Sequence, residues 1–373
     1  MRRARRPFGF ALHASLAVAT SALLAFDCSR SVDSFAAAAQ ETASPPSTVV
    51  GPPDMISAAE LLAMGLGGGP RANVADASRS GVIEERSEAP VAGPYEADWQ
   101  PGAFGAWYLA PKKFRSDVFD VIFHFHAGRA AAKEYREQAG GAVVVALTYG
   151  AGSKAYADAF VDPNRFQEML GDIEMRLRKS KNNPQLHVRR ISLFAWSAGY
   201  GAIRNILTQG YYDRIDTIVL LDGLHANYLA LPSAPNGRRV DGRGLDAFMR
   251  FAQDAADGNK AFVFTHSSIV PPGYASTTET AAVLADVVHA KKLWLRAPGP
   301  RNFQRIYRAD VKGFHLRGFA GTTKDAHITQ LHLVGEVLRD VVVPRWLRLD
   351  RRTVAPKPAP IWRRDDKAKR ASY

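Results

Sequence analysis

Arg190-Ile-Ser-Leu-Phe-Ala-Trp-Ser-Ala-Gly-Tyr-Gly-Ala-Ile-Arg204 is the stretch on which the reading of this chain turns. Ile191 to Trp196 form an apolar run of strand length, Ser197 follows among small residues, and a helix-length segment comes next. A serine on a sharp strand-to-helix turn is the layout of a nucleophile elbow. The turn demands small residues two places before and after the serine. Ala195 and Gly199 meet that demand, Ala198 and Gly201 ease it further, and the usual G-x-S-x-G pattern carries Ala195 in its first place. The following helix aims its N-terminus at the serine, which favours an oxyanion developing there. The same residues also read as a strand, a polar turn and an amphipathic helix with no chemistry.

Outward from this stretch, apolar runs of strand length alternate with amphipathic runs of helix length. The pattern predicts strands over 104–109, 118–125, 142–148, 191–196, 217–222, 261–266 and 311–319. Helices are predicted over 130–138, 163–179, 198–209, 245–257, 278–290 and 328–341. Fully apolar strands such as Val143-Val-Val-Ala-Leu147 and Ile218-Val-Leu-Leu221 imply burial on both faces, as in a parallel sheet covered by helices. Alternation of this kind makes one α/β domain, expected over 96–348.

The ends of the chain differ in character. Arg2 to Arg6, the apolar stretch Phe8 to Phe26 and the small residues Ala37 to Ala39 read as an export signal over 1–39. Arg5-Arg6-Pro7-Phe8 matches a twin-arginine signal, and the protein is expected in the periplasm or outside the cell. Asp27 stands before Cys28 where a lipobox wants a small residue. Residues 40–95 are rich in Ala, Ser, Pro and Gly and read as a flexible tether with a short helix near Ile56 to Met64. Residues 349–373 read as a basic, Pro-containing tail. The 373 residues carry a net charge of +13, much of it at these two ends. No zinc-finger spacing, RNA-recognition signature or aromatic-basic stripe accompanies it, which argues against a sequence-reading nucleic-acid binder and leaves peripheral contact with an anionic envelope surface. One cysteine excludes an intramolecular disulfide.

With the elbow on an inner strand, Phe104 to Trp346 resembles the α/β-hydrolase superfamily in the order of its strands and in the polar residues at their ends. The resemblance implies a mostly parallel sheet with helices on both faces, a small insertion after the strand ending at Asp222, and no cofactor. It also implies a triad in chain order serine, acid, histidine beyond the carboxyl ends of the strands. Gly321-Thr-Thr-Lys-Asp-Ala-His327, before the final helix, stands where the superfamily carries its histidine, with His332 as the competitor inside the helix. Asp222, at a strand tip before Gly223, is the expected acid, and Glu279 is the alternative. The expected oxyanion donors are the amides of Ala198 and of Ala127 or Gly128 in His124-Phe-His-Ala-Gly128. His126, Tyr149, His225 and His266 are expected to line the pocket.

These features point to an exported serine hydrolase that cleaves a carboxylic ester or related acyl bond, small or polymeric. Two other readings stay open. His124, His126, Asp222, His225 and His266 could form a metal-dependent site, because a His-x-His pair on a strand faces one way. Against that stand the absence of a helical His-Glu-x-x-His partner and a serine elbow left unexplained. The basic tail and long tether would also suit a catalytically silent member of the fold that binds the envelope.

Overall fold

The structure is a computed structural model that describes residues 94–353, apart from 235–236 and 299–302. The expected leader, the tether up to residue 93 and the tail beyond residue 353 lie outside the described residues.

In chain order the elements are β1 Gln100–Pro101, β2 Trp107–Leu109, β3 Val118–Phe125, α1 Ala132–Gln138, β4 Val143–Leu147, α2 Ser153–Ala159 and α3 Arg165–Ser180. Then come β5 His187–Trp196, α4 Tyr200–Thr208, β6 Ile215–Leu221, the small pair β7 Tyr228–Ala230 and β8 Arg238–Val240, α5 Asp246–Asp257 and β9 Ala261–His266. The last group is α6 Thr277–Val287, β10 Leu293–Pro298, β11 Gln304–Val311, β12 Phe314–Phe319, α7 Lys324–His332, α8 Val334–Val337 and α9 Val343–Thr353.

Among the described residues the main sheet has the order β1-β2-β4-β3-β5-β6-β9-β12-β11-β10. β4, β3, β5, β6, β9 and β12 run parallel, while β1 and β2 at one edge and β11 and β10 at the other pair antiparallel. The chemistry of β5 shows why the parallel strands are central. Leu193 and Ala195 point into one core, Phe194 and Trp196 into the other, and all four are sealed from solvent. On the first face α3 contributes Phe166, Met169, Leu170, Ile173 and Leu177, a helical stripe at spacings of three and four. On the second face Tyr135 of α1 and Leu331, Val334 and Leu338 near the chain's end cover Ile122, Val144 and Val219. The sheet is therefore covered on both faces, as expected.

Several boundaries differ from expectation. The strand expected over 104–109 starts at Trp107, because Ala103–Gly105 form a 3-10 turn with Phe104 at φ 57°. The run expected as one strand over 311–319 bends at Lys312-Gly313, and Val311 pairs with Phe314 across a two-residue hairpin. The final helical segment begins at Lys324, four residues early, so His327 lies on a helix rather than in a loop. It then continues through α8 and a π-helical turn, Leu338–Val342, into α9. Asp350, expected in the tail, lies on α9 and pairs with Arg189 and Arg190. No described helix is long and apolar enough to cross a membrane.

Candidate active site

β5 delivers its chain to Ser197, which adopts φ 51°, and Ser197–Gly199 form a 3-10 turn that runs into α4. An L-residue held in the left-handed region costs on the order of 1 kcal/mol or more, and such outliers gather at functional sites. Two glycines make the turn possible. A Cβ on Gly199 would lie 2.1 Å from the Phe125 carbonyl oxygen, and one on Gly223 would lie 2.1 Å from that of Ser197. The elbow is thus pinned between the ends of β3 and β6. Gly223→Ala is expected to destabilise the fold by about 3 kcal/mol or more through overpacking. Gly152→Ala, where an added Cβ meets nothing within 4 Å, should be near neutral. Urea midpoints of the two variants check this, and equal midpoints would contradict the close approach.

Asp222 also departs from ordinary backbone geometry, at φ 48° just past β6. Its carboxylate is buried and fully engaged. Oδ2 accepts from His327 Nδ1 at 2.8 Å, and Oδ1 accepts from the Ser267 amide and the Thr277 hydroxyl, each at 2.9 Å. Burial pushes this carboxyl up, but the bond and charge of His327 and the Ser267 bonds outweigh it and hold the group down at about 2. A carboxylate accepts only, so Nδ1 of His327 carries a proton toward Asp222, which leaves Nε2 as the acceptor of the neutral tautomer. Trp196, the residue before the serine, braces the imidazole. Its ring lies 4.8 Å from that of His327, and its indole N–H donates to the His327 carbonyl at 3.0 Å. Ser197 Oγ makes no hydrogen bond among the described residues.

β3 pairs with β5 from Val118 to Phe125, with one register shift between Phe119 and Asp120, and Phe125 lies opposite Ala195, so the loop after Phe125 lies beside the elbow. His126 and Ala127 take φ 75° and φ 54°, and Gly128 opens a 3-10 turn. The Ala127 amide donates to Thr148 Oγ1 at 3.3 Å. Gly128 and Ala198 each stand in the first turn of a 3-10 segment, where amides lack partners within the turn.

Serine at the elbow of an inner parallel strand, an acid after the next strand and a histidine after the last parallel one decide the architecture. The chain has the α/β-hydrolase fold. Neither a protein-family model nor a curated relative matches the sequence. Among solved structures it is similar to the siderophore hydrolase EstB from Aspergillus nidulans, with 12% identity, 68% of this chain and 96% of that one covered, and a TM-score of 0.37. Poly(aspartic acid) hydrolase-1 from Sphingomonas sp. KT-1 is 14% identical, with coverage of 66% and 98% and a TM-score of 0.36. LpqC, a poly(3-hydroxybutyrate) depolymerase from Bordetella parapertussis, is 13% identical, with coverage of 63% and 83% and a TM-score of 0.36.

The other polar residues expected at this end of the α/β-hydrolase sheet have varied surroundings, and several are engaged away from the triad. Glu279 closes a capping box with Ser276 at the start of α6 and accepts from the Tyr228 hydroxyl. His332 faces Glu134 of α1, 2.7 Å away. His266, expected to line the pocket, is instead sealed in the core, where Nδ1 donates to the Ser267 carbonyl and Nε2 accepts from Tyr307 of β11. His126 is equally sealed, stacked 5.0 Å from Trp196 and bonded through Nδ1 to Tyr156. Tyr149 is half-buried and donates to the Phe104 carbonyl. His225 is half-buried beside Tyr200 and Tyr274. The His and Asp residues that suggested a metal are thus dispersed, with His124 on Tyr135, His126 on Tyr156 and Asp222 on His327. Among the described residues no three His, Cys, Asp or Glu side chains form a metal-holding group.

Burial, joined by the neighbouring charge of His126 or His327, holds His124 and His126 down at about 3. The unfolded chain binds these two protons near pH 6.5 and the folded one does not, so stability is full above that pH and falls as pH drops toward 3. Each imidazole removes up to about 1.4 kcal/mol per pH unit in that window. Urea midpoints should therefore fall steadily between pH 7 and pH 5, and less steeply in His124→Phe. A flat profile would contradict the buried, neutral state.

Proposed function

We propose that the chain is an exported serine hydrolase acting on a carboxylic ester or a related acyl bond. The observation that carries this reading is the 2.8 Å bond between Asp222 and His327, made beside a serine in a strained left-handed turn. Asp222 fixes the tautomer, so His327 Nε2 is the free base that takes the Ser197 proton as Oγ attacks the acyl carbon. The tetrahedral oxyanion is held by the amides of Ala198 and Gly128, because the Ala127 amide already serves Thr148. His327 then returns the proton to the departing alcohol, and water repeats the sequence in reverse to free the acid. Catalytic hydrogen bonds are commonly long before substrate binds, so the open Ser197 hydroxyl is compatible with this role. Each backbone donor in such a site contributes about a hundred- to a thousand-fold in rate. The leader-like stretch up to residue 39 supports export.

The test is pre-steady-state hydrolysis of p-nitrophenyl butanoate by wild type and His327→Ala. Wild type should release p-nitrophenol in a stoichiometric burst as the acyl-enzyme forms, and the variant should show none. Absence of turnover by the folded wild type toward acyl chains of two to twelve carbons would overturn the reading.

A further inference from the structure

His225 lies three residues beyond Asp222, in a segment fixed from both sides. Gly223 packs directly on the Ser197 backbone, the Leu224 carbonyl accepts from the Thr280 hydroxyl at 2.7 Å, and the Ala226 carbonyl accepts from the Ala275 amide at 2.8 Å. The imidazole is clamped between two tyrosines, whose ring centroids lie 6.1 Å (Tyr200) and 5.0 Å (Tyr274) away. Its Nδ1 faces the Ala275 carbonyl at 2.9 Å. A carbonyl cannot donate, so Nδ1 carries the proton. Burial lowers the basicity of the ring, the Ala275 carbonyl and the Asp222 charge oppose this, and the His327 charge adds to it. The ring is therefore neutral, and Nε2 is left as an acceptor. That atom bonds to nothing among the described residues, yet it is not sealed from solvent as His126 Nε2 is.

The segment that follows Asp222 and packs on the Ser197 backbone thus presents one rigid acceptor, with its tautomer set by the backbone and no donor among the described residues to satisfy it. We propose that His225 is a specificity-determining residue whose Nε2 accepts a hydrogen bond from a hydroxyl or amide N–H of the substrate, making the preferred substrates esters that carry such a donor close to the scissile carbonyl. A substrate without that donor strips water from Nε2 and replaces it with nothing, so the penalty falls on the unmatched ester. This inference rests on the reading of Ser197 as nucleophile.

Two matched pairs test it, one with the donor on each side of the ester: methyl 2-hydroxybutanoate with methyl butanoate, and 2-hydroxyethyl butanoate with propyl butanoate. Intrinsic reactivity differs within a pair, so the readout is the kcat/KM ratio in wild type divided by the same ratio in His225→Phe. The phenyl ring keeps the packing between the tyrosines and removes the acceptor. For at least one pair this quotient should be on the order of tenfold, and His225→Gln, which keeps an acceptor, should recover part of it. A quotient near one for both pairs, with Ser197 still labelled by a fluorophosphonate, would overturn the role of His225 alone. Loss of both hydrolysis and labelling in the folded wild type would overturn the hydrolase reading and this inference with it.

Discussion

Replacement of Ser197 by alanine is expected to lower kcat for ester hydrolysis by about a million-fold, with far-UV circular dichroism and urea midpoint close to wild type. The size of the loss follows from the step removed. Without Oγ no acyl-enzyme forms, and what remains is direct attack by water in a site that still offers oxyanion donors, worth about a thousand-fold over solution. The fold should tolerate the change because alanine meets the same left-handed backbone, φ 51°, at much the same cost as serine. Packing against Gly223 involves the Ser197 backbone rather than its side chain. Stopped assays at high enzyme concentration, on protein purified with fresh columns, measure the residue. A loss under tenfold would place the nucleophile elsewhere.

Asp222→Asn should lower kcat by about ten-thousand-fold with little change in KM. Asn is nearly isosteric and still offers Oδ1 to the Ser267 amide and the Thr277 hydroxyl, so the turn after β6 should hold. At the other position an amide N–H now faces Nδ1 of His327. To avoid two opposed donors the imidazole must move its proton to Nε2, the atom required as base. The control is Glu279→Gln. Glu279 caps α6 and bonds Tyr228, so its variant should cost stability and leave kcat within a few-fold. If Glu279→Gln lost more activity than Asp222→Asn, the acid would be misassigned.

The parallel core of the fold was legible because chemistry there is unambiguous. Val143 to Leu147 and Ile218 to Leu221 are apolar throughout, and only strands buried on both faces tolerate that. The edge strands β10 and β11 were not legible. β11 carries Arg305, Arg308 and Asp310 among its apolar residues, and β10 lies at the outer edge of the sheet with Leu293 and Trp294 exposed. Missing β11 had a consequence at the site. Tyr307 on that strand is the partner that holds His266 in the core, so a histidine at a strand tip looked free to line the pocket. The seven-residue α2 was too short for its period to show, and with it went Tyr156, the partner of His126.

Glu279 could have been placed from sequence alone, since Ser276-x-x-Glu279 before a helix has the spacing of a capping box. Ser267 and Thr277, which hold Asp222 from just after β9 and from the start of α6, had no signal. They are 45 and 55 residues away, and only tertiary structure joins them to the carboxylate. The bracing of His327 by Trp196 is similar, although an aromatic residue immediately before an elbow serine is a place to look for such support.

The most direct test of the account is covalent labelling of the folded wild-type protein with a fluorophosphonate, followed by intact-mass measurement and peptide mapping. One phosphonyl adduct on Ser197, absent from Ser197→Ala and strongly slowed in His327→Ala, is the predicted result. An adduct on another residue, or none on the folded wild type, would contradict it.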